Sequence, residues 1–369
     1  MFRWPSTIDV GPIFSANRSS AALFARQRLA TEFVSILRAY GFARVRNHGV
    51  TADTISRLFK FHRQFFNLPL PTKLTVQNRG GESPARGYSP WAYEKTAVLR
   101  PDLHTASSPN TNPTQILLDA REQFAMGPPS DAQFKTPQLG EAYLPEFNAA
   151  ISDAYRQISD TCRRLVHTIE EGLGAPSGCI SGPAADGQGA ELNLNFYPEV
   201  QRSTLEDNLD TPAVQEVRVG GNQDNATMRR IWPHTDLGVV SALLQGGAGE
   251  TGLEVQLRES GQSKFVPVAV DDENDLVLLV SDTLERWTNG KLQAAVHRVG
   301  LPPAISQAGP ASRSERNLVP ERRSAVMFFR APPTVDLYPL SHFISPEDPA
   351  KYEHITAGEY LRRHNKRLY

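Results

Sequence analysis

The fold of this chain is decided by a series of short apolar runs that begins at Glu191-Leu192-Asn193-Leu194-Asn195-Phe196-Tyr197. Turn-rich residues separate it from the next runs, which are Val239–Gln245, Leu253–Leu257, Phe265–Val268, Leu276–Val280, Gln293–Val299 and Ala325–Phe329. The dipeptide Asn289-Gly290 is typical of a two-residue hairpin turn, because both residues tolerate positive φ. A succession of strands without helices between them favours an antiparallel barrel or jelly roll over a doubly wound sheet.

Helical patterns lie on both sides of these runs. Apolar residues recur at helical spacing in four segments, which are about 19–40, 51–67, 145–174 and 346–365. Gly41 is placed to end the first helix in a left-handed conformation, and Thr51 can cap the second. The alternating residues Phe42–Arg46 predict one strand between these two helices.

On this basis the chain divides into three parts. We expect an N-terminal helical and α/β region over 1–185, a β core over 186–335, and a C-terminal helical segment over 336–369 that packs on the core. The expected fold class is therefore mainly β with flanking helices. Two connections, 199–230 and 300–321, are unusually long, and loops of that length are commonly functional or disordered.

The composition excludes several classes of protein. The 369 residues carry 39 Lys and Arg against 40 Asp and Glu, so bulk charge does not suit binding to nucleic acid or to an anionic membrane. The two cysteines, Cys162 and Cys179, are too few for a disulfide framework or a cysteine-rich zinc module. The chain shows neither a signal-peptide pattern nor a run of 18 apolar residues, so we expect a cytoplasmic protein.

A His-x-Asp triplet in the β region is a candidate metal site. His234 and Asp236 lie in a strand-like segment, where residues i and i+2 point to the same face. His297 lies on a separate predicted strand and is a candidate third ligand. Two imidazoles and one carboxylate suit the facial triad of non-haem Fe(II) oxygenases, although the same donors also suit zinc. Because so short a triplet also arises by chance, further motifs must decide its meaning.

Seven segments, in order along the chain, resemble motifs of the isopenicillin N synthase-like branch of the Fe(II)- and 2-oxoglutarate-dependent dioxygenases. These segments are 41–49 (GFARVRNHG), 86–90 (RGYSP), 195–198 (NFYP), 234–238 (HTDLG), 287–290 (WTNG), 297–299 (HRV) and 322–324 (RRS). The resemblance extends over most of the chain, from about residue 8 to residue 369. The segment Arg286–Gly290, followed by a distal histidine, is most similar to fungal members.

The resemblance implies a fold and a metal centre. The fold is the double-stranded β-helix, a cupin-like jelly roll, with an N-terminal α/β region and a C-terminal helix. His234, Asp236 and His297 match the iron ligands of the family. The implied cofactors are Fe(II), 2-oxoglutarate as cosubstrate and O₂.

The resemblance also implies a cosubstrate pocket. Arg322 and Ser324 match the pair that holds the far carboxylate of 2-oxoglutarate, while Asn195 and Tyr197 match residues that line its pocket. Independently of the family, residues 322 and 324 share one face of a strand, and the planar guanidinium of arginine suits a carboxylate. Arg323 lies between them and is expected to point to the opposite face as a solvated or salt-bridged side chain.

The implied reaction acts on a small molecule. Oxidative decarboxylation of 2-oxoglutarate gives succinate and CO₂ and drives the oxidation of an unactivated C–H bond, by hydroxylation, desaturation or oxidative cyclisation. The fungal-type motifs favour a substrate from specialised metabolism. The substrate cavity is expected to be apolar, with walls near Tyr88, Phe124 and Phe343. No nucleic-acid or membrane partner is expected, and the protein is expected to be a monomer or homodimer.

Three alternatives stay open at this point. Oxidases such as isopenicillin N synthase keep the Arg-x-Ser motif but do not use 2-oxoglutarate. A non-catalytic binding module could keep the fold, although it has no use for an open iron position. A zinc hydrolase is disfavoured because His-Glu-x-x-His and an evident general base are missing from the sequence. His62 and the other histidines on predicted helices have no partner at ligand spacing and are expected at the surface.

Overall fold

The computed structural model describes most of the chain. The described residues are 4–17, 19–99, 116–184, 189–205, 226–247, 249–259, 262–302 and 318–368. Most of the two long connections, 199–230 and 300–321, therefore lies outside the described residues.

The helices and strands are numbered in chain order. Helices α1 to α8 are Gly11–Phe14, Ser20–Tyr40, Ala52–Phe66, Leu70–Leu74, Phe147–Gly172, Ser181–Ala184, Asp282–Trp287 and Ala357–Leu368. Strands β1 to β16 are Ile8–Asp9, Phe42–Arg46, Gly87–Ser89, Ile116–Asp119, Glu122–Met126, Glu191–Tyr197, Val200–Gln201, Ala226–Arg229, Ile231–His234, Val240–Leu244, Gly249–Glu259, Gln262–Val270, Leu276–Val280, His297–Val299, Leu318–Val319 and Arg322–Phe329. Short 3₁₀ turns occur at Thr96–Leu99, Arg202–Thr204 and Ser341–Phe343.

Two sheets form the jelly roll. In the described part of the chain, eight strands make the large sheet, in the order β1-β2-β13-β10-β16-β6-β5-β3. The smaller sheet has the order β12-β11-β14-β9. All neighbours in both sheets pair in antiparallel fashion except β1 and β2, which are parallel. The fold class predicted from the sequence is confirmed.

The large sheet contains strands from both halves of the chain. Strands β2, β3 and β5 from the first 130 residues pair directly with β13 and β6 or with each other. Because the N-terminal region supplies both edges of this sheet, it also supplies part of any cavity that the sheet encloses. The division at residues 185 and 335 stays a prediction.

The core lies between helices and the large sheet. Helix α5 packs against α2 and α3 and against strands β10 and β16. Its buried residues recur at spacings of three and four, as an amphipathic helix requires. Strand β13 is buried along its whole length, so its residues Leu276–Val280 read as a continuous apolar run instead of alternating. None of the described helices has the length and apolar character needed to cross a bilayer.

Most of the predicted elements are confirmed, and the helix caps behave as expected. Gly41 ends α2 with a φ of 73°, and the Thr51 hydroxyl accepts a hydrogen bond from the main-chain N–H of Thr54. The last predicted helix is wrong in its first half, because α8 starts only at Ala357 and the residue before it, Thr356, pairs in extended form with Asp336.

The predicted hairpin at Asn289-Gly290 is also wrong. Both residues have positive φ, 53° and 81°, but they follow helix α7 instead of joining two paired strands. The main-chain N–H of Gly290 donates to the carbonyl of Glu285, which is how helices commonly end. A hairpin turn and a helix end require the same backbone conformation, so the dipeptide alone does not separate them.

Candidate active site

Three of the predicted site residues meet in a cavity between the two sheets. His234 ends strand β9, Asp236 follows it, and His297 begins the neighbouring strand β14, directly opposite His234. Oδ1 of Asp236 lies 3.5 Å from Nε2 of His234, and Oδ2 lies 3.7 Å from Nε2 of His297. Potential ligand atoms of all three residues lie within 4.8 Å of one another, and all three residues are buried.

Hydrogen bonds orient both imidazoles toward a common point. Nδ1 of His234 lies 2.8 Å from the carbonyl of Trp232, and Nδ1 of His297 lies 2.9 Å from the carbonyl of Ala295. Because a carbonyl only accepts, each Nδ1 carries the proton and each Nε2 keeps a free lone pair. Oδ2 of Asp236 is buried without a hydrogen-bond partner in the described structure. The three residues therefore fit a divalent metal ion, which such a donor set binds through two neutral imidazoles and a carboxylate.

The electrostatics of the triad favour the same protonation states. Burial opposes the charge of Asp236, but the neighbouring imidazoles of His297 and His234 hold its pKa below the ordinary value. Burial, and then the nearby His234, lower the pKa of His297 to about 4. An ionised carboxylate beside a neutral imidazole is the state that coordinates a metal.

A second polar group lies on the large sheet, which forms the other wall of the cavity. Arg322 pairs with Tyr197 across β16 and β6, and its guanidinium carbon lies 4.9 Å from the centre of the tyrosine ring. Nη1 of Arg322 donates to Oγ of Ser324 at 3.0 Å, which confirms that residues 322 and 324 share one face. Nε and Nη2 of Arg322 are buried without an acceptor in the described part of the chain. This free side of the guanidinium suits a carboxylate ligand.

Asn195 lies beside this pair and is held from two directions. Its side-chain Oδ1 accepts a hydrogen bond from Nη1 of Arg121 at 2.9 Å. Its main-chain carbonyl lies 3.0 Å from Nε2 of His62 on helix α3. The expectation that His62 is a surface residue is wrong, since its relative exposure is 0% and burial lowers its pKa to about 3. The helix that carries it faces the sheet, so a histidine there joins helix to strand.

Arg323 points away from the cavity, as expected. Its guanidinium forms a 2.9 Å ion pair with Glu321 and lies 4.3 Å from the centre of the Phe196 ring. Two adjacent arginines on β16 therefore have different surroundings.

The three aromatic residues expected at the substrate cavity lie elsewhere. Tyr88 and Phe124 are 1% and 2% exposed and pack against Phe65 in the core under the sheet. Phe343 is 3% exposed and belongs to the same core. Side chains on β3 and β5 alternate between two faces, and Phe124 and Tyr88 point to the helices while Gln123 points into the cavity. Tyr88 and Phe124 therefore lie on the face of the sheet that points away from the cavity.

Polar and apolar residues beyond the predicted ones also line the cavity. The polar set contains Glu94, Arg121, Gln123 and Asn193, and the apolar set includes Leu237, Leu243, Leu279 and Phe328. Arg121 forms an ion pair with Glu94, and Nε2 of Gln123 donates to Oε1 of Glu94 at 3.0 Å. Sequence alone does not reveal these residues, because isolated charges in separate segments form no local pattern. For Gln123 the signal comes from strand pairing, which places it opposite Asn195, and Asn195 is in turn opposite Ser324.

Comparison with known families agrees with this arrangement. Residues 6–146 match the family described as non-haem dioxygenase in morphine synthesis N-terminal, and residues 193–331 match the 2OG-Fe(II) oxygenase superfamily. The chain belongs to the 2OG-Fe(II) oxygenase superfamily. The expectation of a 2-oxoglutarate-dependent dioxygenase, with Fe(II) and 2-oxoglutarate as cofactors, is thereby confirmed.

This oxygenase has fungal relatives over nearly its full length. It is 33% identical to the 2-oxoglutarate-dependent dioxygenase imqE of Aspergillus flavus, over 93% of this chain and 90% of the relative. It is 32% identical to the 2-oxoglutarate-dependent dioxygenase phqC of Penicillium fellutanum, over 99% of this chain and 94% of the relative. The proline hydroxylase buaE of Petromyces alliaceus is 30% identical, over 88% of both chains.

Solved structures share the fold of this oxygenase. The full-length Neurospora crassa T7H in complex with alpha-KG matches with a TM-score of 0.73 and 22% identity, over 97% of this chain and 95% of that chain. The rice dioxygenase for auxin oxidation matches with a TM-score of 0.62 and 18% identity, over 98% of both chains.

Proposed function

We propose that this oxygenase binds Fe(II) through His234, Asp236 and His297 and uses it to oxidise an unactivated C–H bond of a specialised metabolite. The observation that carries the metal assignment is the unpaired, buried Oδ2 of Asp236 facing two imidazoles whose Nε2 lone pairs are free. An unpaired buried carboxylate oxygen is costly unless a ligand compensates it.

We further propose that Arg322, Ser324 and Tyr197 hold the far carboxylate of 2-oxoglutarate, with Asn195 lining the same pocket. The guanidinium offers two unpaired nitrogens, and Ser324 fixes its remaining side. When bound, iron, 2-oxoglutarate and O₂ supply the oxidising power for C–H cleavage, with release of succinate and CO₂. The protein contributes orientation and exclusion of water, since every residue named here is buried between two sheets.

The substrate side of the cavity is proposed to be lined by the polar residues Glu94, Gln123 and Asn193 and by the apolar residues Leu237 and Phe328. The carboxylate of Glu94 fixes the orientation of the Gln123 amide, because it can accept only from the amide nitrogen. Oε1 of Gln123 and Oδ1 of Asn193 are consequently buried acceptors without a partner among the described residues. A substrate with an apolar body and an N–H or O–H group would pack against the apolar residues and donate hydrogen bonds to these two acceptors.

The relatives include fungal 2-oxoglutarate-dependent dioxygenases and a fungal proline hydroxylase, and we propose a substrate from specialised metabolism. We propose hydroxylation, desaturation or oxidative cyclisation of a small metabolite as the outcome. A cytoplasmic location and a monomeric or homodimeric state are part of the same proposal. Size-exclusion chromatography with light scattering tests the assembly.

The test of the proposed function separates cofactor binding from turnover. Anaerobic addition of Fe(II) and 2-oxoglutarate should produce the weak visible charge-transfer band of the chelate, and R322Q should weaken cosubstrate binding strongly. R323Q is the matched control, because Arg323 lies next to Arg322 but faces Glu321. Admission of O₂ with a panel of metabolites should then release succinate for the correct substrate. A native protein that binds Fe(II) without forming the band would contradict the proposed use of 2-oxoglutarate.

A further inference from the structure

A second buried arginine lies next to the proposed cosubstrate pocket. Arg230 connects strands β8 and β9 and is 2% exposed. Its guanidinium carbon lies 5.9 Å from the centre of the Tyr197 ring, and that of Arg322 lies 4.9 Å from the same centre. The guanidinium carbons of both arginines therefore lie within 6 Å of the centre of the same tyrosine ring.

Neither arginine has a carboxylate partner in the described structure. Nη2 of Arg230 donates to the carbonyl of Pro320, and its Nε is buried without an acceptor. Arg322 donates to Ser324 and likewise keeps unpaired nitrogens. By contrast, the buried Arg121 forms an ion pair with Glu94, and the buried Arg86 forms one with Glu191.

Such an arrangement is unfavourable without a ligand. Buried charges are normally paired, and two like charges near each other raise the cost. Burial, and then the nearby Arg322, lower the pKa of Arg230 to about 10, so the group still carries its charge at neutral pH. An anion bound between the two guanidiniums would remove the penalty for both.

We propose that Arg230 is a second cosubstrate-recognition residue, which attracts the far carboxylate of 2-oxoglutarate together with Arg322. This inference rests on the proposed function, which places that carboxylate at Arg322. It assigns to Arg230 the selectivity for 2-oxo acids that carry a second, distal negative charge.

The test compares two ligands that differ only at the distal end. 2-Oxopentanoate has a methyl group where 2-oxoglutarate has its far carboxylate, and both carry the same 2-oxo acid group for the metal. Their dissociation constants are measured anaerobically from the visible chelate band. R230Q should weaken 2-oxoglutarate binding about 10- to 100-fold, as expected for loss of an interaction with a charged group, and should leave 2-oxopentanoate within about twofold. R323Q should leave both constants unchanged.

The outcomes separate this inference from the proposed function. If R230Q weakens the binding of both ligands equally, or weakens the binding of neither, the proposed role of Arg230 is overturned. Loss of 2-oxoglutarate binding in R322Q would still support the proposed cosubstrate pocket at Arg322. A native protein that forms no chelate with either ligand would instead contradict the proposed function. If R230Q does not fold, the same two dissociation constants are measured with R230K. It keeps the charge but not the planar fork, and it should reduce the preference for 2-oxoglutarate only partly.

Discussion

Replacement of Phe124 by alanine decides whether this residue belongs to the core or to the substrate site. Its ring is 2% exposed and lies 5.0 Å from the ring of Phe65 and 5.4 Å from that of Phe147, centre to centre. Truncation of a buried phenylalanine costs about 3–5 kcal/mol of stability. For a chain of 369 residues, that loss corresponds to a decrease of about 5 °C in the unfolding midpoint.

The assay is thermal unfolding followed by circular dichroism, together with 2-oxoglutarate affinity measured well below the transition. F124A should unfold about 5 °C below the native protein and should bind 2-oxoglutarate as the native protein does. The matched control is F24A, because Phe24 is 63% exposed and its loss should cost less than about 0.5 kcal/mol. The assignment of Phe124 to the core is refuted if F124A keeps its midpoint but loses substrate-dependent succinate formation.

Three further substitutions test other parts of the structure. Burial keeps His62 neutral with a pKa of about 3, whereas the unfolded chain takes up this proton near pH 6.5, so native stability falls as the pH drops below 6.5. H62Q should therefore lose less stability between pH 7 and pH 5, measured by urea unfolding, and an unchanged slope would contradict this. D236N should abolish the rise in unfolding temperature that Fe(II) gives the native protein under anaerobic conditions, and an equal rise would argue against Asp236 as a ligand. Glu170 accepts three main-chain hydrogen bonds of 2.7–2.8 Å from the segment 178–181, so E170Q should cost about 1–3 kcal/mol in urea unfolding without changing 2-oxoglutarate affinity.

The residues proposed to bind the metal and the cosubstrate could be predicted because each pair is encoded locally. Arg322 and Ser324 stand two residues apart on strand β16 and share one face. His234 and Asp236 have the same spacing at the end of strand β9, and both line the cavity. The position of His297 beside them did not follow from spacing and depended on the family resemblance. The structure shows why it fits, since β14 pairs with β9 and places residue 297 directly opposite residue 234.

The substrate side could not be predicted in the same way. Glu94 and Arg121 are 27 residues apart and become an ion pair only when β5 joins the large sheet. Residues 346–356 differ from the prediction for a related reason. Tyr352 and Ile355 suggest helical spacing, whereas the segment forms no helix and its carbonyls at Asp348 and Pro349 accept hydrogen bonds from Asn289. Long-range partners, and not local propensity, determine both regions.

Helix α8 has a practical consequence for anyone who purifies this enzyme. The main-chain carbonyl of Leu368 accepts a hydrogen bond from the N–H of Lys95, and the Asn365 amide donates to the carbonyl of Ser83. Both side chains also line the cavity that contains the triad. Proteolytic loss of α8 during purification would remove part of the cavity lining, so the intact mass of the protein should be checked before kinetic work.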